Sequence, residues 1–186
     1  MIQSTDGKNT DRILDVDPAG LTVIKYPDPR LQQMAEPLEG VDDSVRAVID
    51  RMFELMFEFR GVGLAAPQVA LGVRLFVASP TFQADDRRVF VNPEIIAGEG
   101  AQEGEEGCLS LPGINCKIKR KRIVTVRALD RDGNEFEETF EDLPARIFQH
   151  ETDHLNGKLL TDRMGTVAKL ASRRTLKELE AAYAGK

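Results

Sequence analysis

The chain has 186 residues and a formal net charge of −6, with 41% hydrophobic and 30% charged residues. That length suits one domain with a sizeable core, and the balance is ordinary for a globular protein. No apolar run is long enough to span a bilayer, and the acidic charge lacks the basic field that wholesale nucleic-acid binding needs, so neither a membrane nor DNA is an expected partner.

Residues 1–20 are polar and aperiodic and read as a flexible arm, which leaves residues 21–186 as a single domain. The start has no apolar stretch of the secretory kind, and Asp6, Asp11, Asp15 and Asp17 argue against a transit peptide. The cytoplasm is therefore the expected compartment. Pro27 and Pro29 force extended or turning backbone where order begins. Over 43–59, Val45, Val48, Ile49, Met52, Met56 and Phe59 recur at three- and four-residue spacing, which predicts a helix with one apolar face, ended by Gly61 and Gly63. Strand-like runs follow at 73–79 and 88–93. Two more, 123–129 and 135–140, flank Asp132-Gly133, a hairpin signal. Asp142 then reads as the cap of a helix with Pro144 in its first turn and Gly157 as its terminator. A last helix is expected over 166–183, with Val167, Leu170, Leu176, Leu179 and Tyr183 as its apolar side. The order predicts an α+β fold, with antiparallel or mixed sheets packed around the 142–157 helix and a C-terminal helix added.

That central helix carries His150-Glu151-Thr152-Asp153-His154, an H-E-x-x-H sequence holding both histidines of the chain. Residues four apart share a helix face, so two imidazoles can grip one ion with the glutamate beside it. Such an ion polarises a carbonyl and acidifies a bound water, whose proton the glutamate takes and later gives to the leaving amine. A catalytic site of this kind needs a third protein ligand and an open position. A third histidine six residues after the second is ruled out, since Leu160 stands there. Glu178 and Glu180 read better as a solvated helix face. A thiolate is a strong ligand for zinc or ferrous iron. Cys108, in a stretch bounded by glycine and proline, is the better placed cysteine, but composition does not choose between it and Cys116.

Three segments together resemble peptide deformylases: Gly61-Val-Gly-Leu-Ala-Ala-Pro-Gln68, Glu106-Gly-Cys-Leu-Ser110 and Gln149-His-Glu-Thr-Asp-His-Leu-Asn-Gly157. Their order and spacing also fit, and the similarity extends over roughly residues 21–165. The resemblance implies hydrolysis of the formyl group from N-formylmethionyl nascent peptides, with release of formate. It implies Cys108, His150 and His154 as metal ligands and Glu151 as general base, activating a metal-bound water for attack on the formyl carbon. Gln68 and the backbone N–H of Leu109 would stabilise the oxyanion, and Gly63 would leave room for the formyl carbon. The substrate would add as a strand between Val62 and Gly107, a mode that reads main chain. Its methionine would enter an apolar pocket near Val62, Ile147 and Phe148.

The same resemblance points to ferrous iron; zinc, nickel and cobalt share the affinity of such a donor set. Asn115 departs from the arginine that some members carry and puts substrate positioning in question. Lys169, Arg173 and Lys177 form a basic stripe on the last helix, read either as a solvated face or as a ribosome contact. Two rivals are a general metalloprotease, which would cleave internal bonds, and a structural metal module, which would need a fourth protein ligand.

Overall fold

Apolar spacing produces helix α1 (Asp43–Glu58), which buries Val45, Val48, Ile49, Met52, Phe53 and Met56. The Asp42 carboxylate caps its start, accepting from Val45 N–H at 2.9 Å. The helix stops before the expected glycines. Arg60 takes the left-handed conformation at φ 56°, Gly61 N–H donates to Met56 C=O at 2.8 Å and Arg60 N–H donates to Phe57 C=O at 3.0 Å, which is a Schellman closure. Phe59, expected on the buried face, is instead the C-cap and 42% exposed, because the chain leaves the helical path there.

The structure, a computed structural model, describes residues 14–185. Most of the expected 1–20 arm therefore lies outside the described residues. Of the remainder, Leu14 and Val16 pack against the core around α1, and Leu14 N–H donates to Ser44 Oγ at 3.0 Å.

Among the described residues seven strands follow: β1 (Gly63–Ala65), β2 (Leu75–Ala78), β3 (Arg88–Glu99), β4 (Gln102–Gly107), β5 (Asn115–Arg120), β6 (Ile123–Leu129) and β7 (Glu135–Glu141). Five form one sheet in the order β1-β2-β3-β6-β7, and β4 pairs with β5 in a separate hairpin. All of these pairings are antiparallel. The β6–β7 hairpin turns where Asp132-Gly133 predicts, with Gly133 at φ 84° and Asp130 accepting from the N–H groups of Asp132 and Asn134 at 2.8 and 2.9 Å. Strand β3 runs six residues past its apolar start, through register shifts after Val91 and Ile95. The β4–β5 hairpin is absent from the expected elements, because Gln102–Gly107 has no apolar alternation to announce it.

Helix α2 (Asp142–Leu155) packs under the large sheet. Phe148 meets Phe76 and Phe90 edge-on at 5.0 and 5.2 Å. Asp142 is not the side-chain cap expected of it. It is the first helical residue, at φ 54°, and its N–H donates to Arg122 C=O at 2.9 Å, so the helix starts directly from the end of β7. Gly157 does end the helix. It sits at φ 65°, Lys158 N–H donates to Asp153 C=O at 2.9 Å and Gly157 N–H donates to His154 C=O at 3.1 Å. A Cβ there would lie 2.6 Å from Gln32 O, so only glycine fits.

A short helix α3 (Leu160–Arg163) leads to α4 (Thr166–Ala184). The apolar side expected of α4 is only partly right. Leu176 and Leu179 pack with Ala168 against a core shared with Leu111, Ile118 and Leu159, and Ser172 is buried in line with them. Val167 and Leu170 are 84% and 70% exposed, because they lie off the row set by residues 168, 172 and 176. Among the described residues no helix is long and apolar enough to cross a membrane.

Candidate active site

One turn of α2 sets the rings of His150 and His154 side by side, with centroids 5.1 Å apart. Strand β4 ends at Gly107 and delivers Cys108 to them, with Sγ 3.2 Å from Nε2 of His154. One donor atom from each of Cys108, His150 and His154 lies within 4.8 Å of the others. A tetrahedral ion with one sulfur and two nitrogen ligands wants donors roughly 3.5 Å apart, so the set fits a divalent transition metal. Among the described residues no other group of three such side chains comes together. Cys116 is not part of it: it points from β5 into the core with Ile118 and Leu159.

The cluster is charged even without a cation. Burial pushes the Cys108 thiol up, but His154 and His150 outweigh it and hold the pKa well below the thiol range. Burial opposes a charged His150, yet its bonds to Cys108 and Glu106 raise it well above the imidazole range. The His150 proton supplies positive charge where a metal would supply it instead. His150 Nδ1 is 3.0 Å from Glu106 Oε2, which leaves Nε2 as the ring nitrogen on the Cys108 side. Arg120 forks onto Glu106 with two bonds of 2.9 Å, and Arg146 adds a third at 2.7 Å. Despite burial, Arg120 and His150 hold the Glu106 carboxyl down at about 2. Arg120 also reaches Asp153 at 2.5 Å, and Arg163 closes on the same carboxylate. Glu106, Arg120 and Asp153 thus form a buried network behind His150 that motif reading alone did not assign. Arginine at an inward-facing position of the Cys116, Ile118, Arg120 alternation was the available signal.

Glu151 is buried and its Oε2 has no hydrogen-bond partner. Burial pushes its pKa up to about 7 despite the two histidines, a value suited to proton transfer near neutrality. Gly63 makes room for it: a Cβ there would lie 2.8 Å from Glu151 Cδ. Gln68 is held by Ala65 N–H, which donates to its Oε1 at 2.9 Å. Its Nε2 donates toward Ser110 Oγ at 3.3 Å and Cys108 Sγ at 3.5 Å.

These groups line a cleft of about 380 Å³ that brings together Val62, Gly63, Gln68, Gly107, Cys108, Leu109, Ile147, His150 and Glu151. His154 lies beneath, almost wholly buried. Phe148 is not in the cleft. One residue further round α2 than Ile147, it faces the aromatic core instead. Leu143, Arg60 and Glu105 line the cleft without having been anticipated, and Asn115 is there as well. Glu178 pairs with Arg174 and Glu180 bonds Tyr26, so neither joins the cluster.

The sequence model of the polypeptide deformylase family matches residues 21–169. Peptide deformylases of Acidobacterium capsulatum and Pseudomonas aeruginosa are each 46% identical to the chain, over 162 residues (86% of this chain, 95% of the relative) and 159 residues (85% and 95%) respectively. Among solved structures, peptide deformylase from Plasmodium falciparum superposes with a TM-score of 0.86 at 37% identity, covering 89% of this chain and 98% of that one. The Legionella pneumophila enzyme gives 0.82 at 43% identity, with coverage of 89% and 98%. The chain belongs to the polypeptide deformylase family, metal-dependent hydrolases that remove N-terminal formyl groups from nascent peptides.

Proposed function

We propose that Cys108, His150 and His154 hold one divalent cation, and that Glu151, Gln68 and Leu109 serve the hydrolysis of the formyl amide in the cleft beside it. When bound, the cation supplies a Lewis acid and a water acidified toward neutrality. Glu151 takes a proton from the attacking water and returns it to the departing nitrogen, so that formate and a free amino terminus leave. Gln68 Nε2 and the Leu109 N–H donate to the oxygen that becomes negative as the carbon turns tetrahedral. Gly63 keeps the space between Glu151 and the formyl carbon open.

The substrate backbone adds as a strand between Val62 and Gly107, and Val62 and Ile147 receive the methionine side chain. Residues 21–186 act as one catalytic domain. The observation that carries the reading is the juxtaposition of a partnerless, buried Glu151 with a three-donor cluster in one cleft.

Ferrous iron is the proposed metal, in a cytoplasmic enzyme. The donor set itself also accepts zinc, nickel or cobalt. On α4, Lys169, Arg173 and Lys177 are exposed and form no ion pair among the described residues, whereas Arg174 is taken by Glu178. That unpaired stripe supports a contact with ribosomal RNA near the site of chain emergence. Salt-sensitive pelleting with ribosomes that survives Lys169→Glu with Arg173→Glu would sink the contact.

The central test is formate release from a formyl-Met-Ala peptide by the wild type and by Glu151→Ala, prepared anaerobically with matched metal content. Release abolished in the variant with metal retained supports the reading. A fully metallated wild type that spares this peptide but cuts internal bonds would make the chain a general protease.

A further inference from the structure

Residues 24–26 bond the main chain of both residues assigned above to the oxyanion, Gln68 and Leu109. Ile24 N–H donates to Gln68 C=O at 2.9 Å, and Tyr26 N–H donates to Ser110 C=O at 2.9 Å. Between them Lys25 turns its partly buried side chain toward Leu109 and donates from Nζ to the Leu109 carbonyl oxygen at 2.6 Å. The same ammonium stands 4.8 Å from the ring centroid of Phe59. Among the described residues no carboxylate pairs with it. Partial burial of an ammonium is costly, and only the Cys108 charge offsets it electrostatically, so what it holds in return matters.

What it holds is one peptide unit away from the proposed donor. The Cys108 C=O accepts from Leu111 N–H at 2.9 Å. In a trans peptide the N–H points opposite to the C=O, so the Leu109 N–H is aimed away from that turn. The remaining freedom is rotation about the Leu109 backbone. Lys25 removes it by anchoring the next carbonyl, while Tyr26 anchors the one after.

We propose that Lys25 is a positioning residue for deformylation: by bonding the Leu109 carbonyl it fixes the Leu109 N–H, while the neighbouring Ile24 N–H holds the Gln68 main chain, so one segment sets the spacing of both oxyanion donors. The inference rests on the assignment of Gln68 and Leu109 as those donors. Lys25 itself does not touch the reacting atoms.

The test compares wild type, Lys25→Met, Lys25→Gln, Lys25→Arg and Gln68→Glu at matched metal content, measuring kcat and KM on a formyl-Met-Ala peptide and affinity for the deformylated Met-Ala product. Removal of an oxyanion donor costs about 100-fold or more in kcat, and its misplacement is expected to cost about 10-fold or more. Lys25→Met and Lys25→Gln should show that loss in kcat with KM and product affinity unchanged, and Lys25→Arg should recover most of it. Turnover within about twofold of wild type in either neutral variant overturns the proposal. So does an equal fall in product affinity without rescue by arginine, which marks a general prop of the cleft. Gln68→Glu keeps the acceptor for Ala65 N–H and removes the donor. If it turns over normally, the oxyanion assignment fails and the Lys25 role fails with it. If it is crippled while the Lys25 variants are normal, only the Lys25 role fails.

Discussion

Glu106 and His150 form a carboxylate–imidazole pair at 3.0 Å, in which the carboxylate is held from behind by Arg120. The pair fixes which nitrogen of His150 faces Cys108 and raises the basicity of that nitrogen. Glu106→Gln keeps the shape and removes the charge. Loss of such a partner costs about 10- to 100-fold in metal affinity. Competition with a chelator of known affinity measures it, and an unchanged affinity would show that the Arg120 network serves folding alone.

The two cysteines should separate cleanly. Cys108→Ser removes the sulfur beside His154 Nε2 and is expected to lose bound metal and activity together. Cys116→Ser leaves the cluster intact and places a hydroxyl in the core with Ile118 and Leu159, at a cost of roughly 1–3 kcal/mol in stability. Metal content by elemental analysis and a urea midpoint distinguish the two effects. Metal loss in Cys116→Ser with full metal in Cys108→Ser would reverse the assignment.

Gly63→Ala tests the close approach. Its Cβ would fall 2.8 Å from Glu151 Cδ and 3.0 Å from Cγ, so the carboxylate must move. Displacing a reacting group by about 1 Å costs on the order of 100-fold in rate. The expected result is a fall of that size in kcat with metal content unchanged. A variant with wild-type turnover would mean that Glu151 has slack in its position.

Local signals were readable wherever neighbours in sequence are also neighbours in space. The α1 stripe from Val45 to Met56, the Asp132-Gly133 hairpin and the Gly157 stop all rest on period or on turn chemistry. H-E-x-x-H belongs with them, since helix geometry alone brings His150 to His154. Long-range features were not readable in that way. The choice of Cys108 over Cys116 depends on which one β4 delivers to α2, and period cannot show it. Resemblance supplied that choice. Arg120, Glu106 and Asp153 come from three separate elements, so their network exists only in the folded chain. On α4, apolar identity was a poor guide, because Val167 and Leu170 are apolar yet exposed while Ser172 is buried.

That network sets an acid limit on stability. Glu106 and Asp153 are buried, and both carboxyls are held below their ordinary values, Glu106 at about 2 instead of 4.5. Below pH 5 the unfolded chain therefore takes up protons that the folded chain refuses, so stability falls as pH falls. The contribution is fully present above about pH 5, is flat from there toward neutrality, and is lost progressively between roughly pH 4.5 and 2. For Glu106 alone it is on the order of 3 kcal/mol at about 1.4 kcal/mol per pH unit. Urea midpoints of metal-free protein at pH 7, 5, 4 and 3 read this without interference from acid release of the cation. They should rise from pH 7 to 5, where the folded chain takes up a proton on Glu151 that the unfolded chain does not, and drop steeply below pH 5. Asp153→Asn leaves Arg120 and Arg163 without one carboxylate, so it should be less stable at pH 7 by about 3 kcal/mol and show a shallower acid slope. A wild-type midpoint that stays level down to pH 3 would mean that the buried carboxylates do not hold their protons off as this geometry requires.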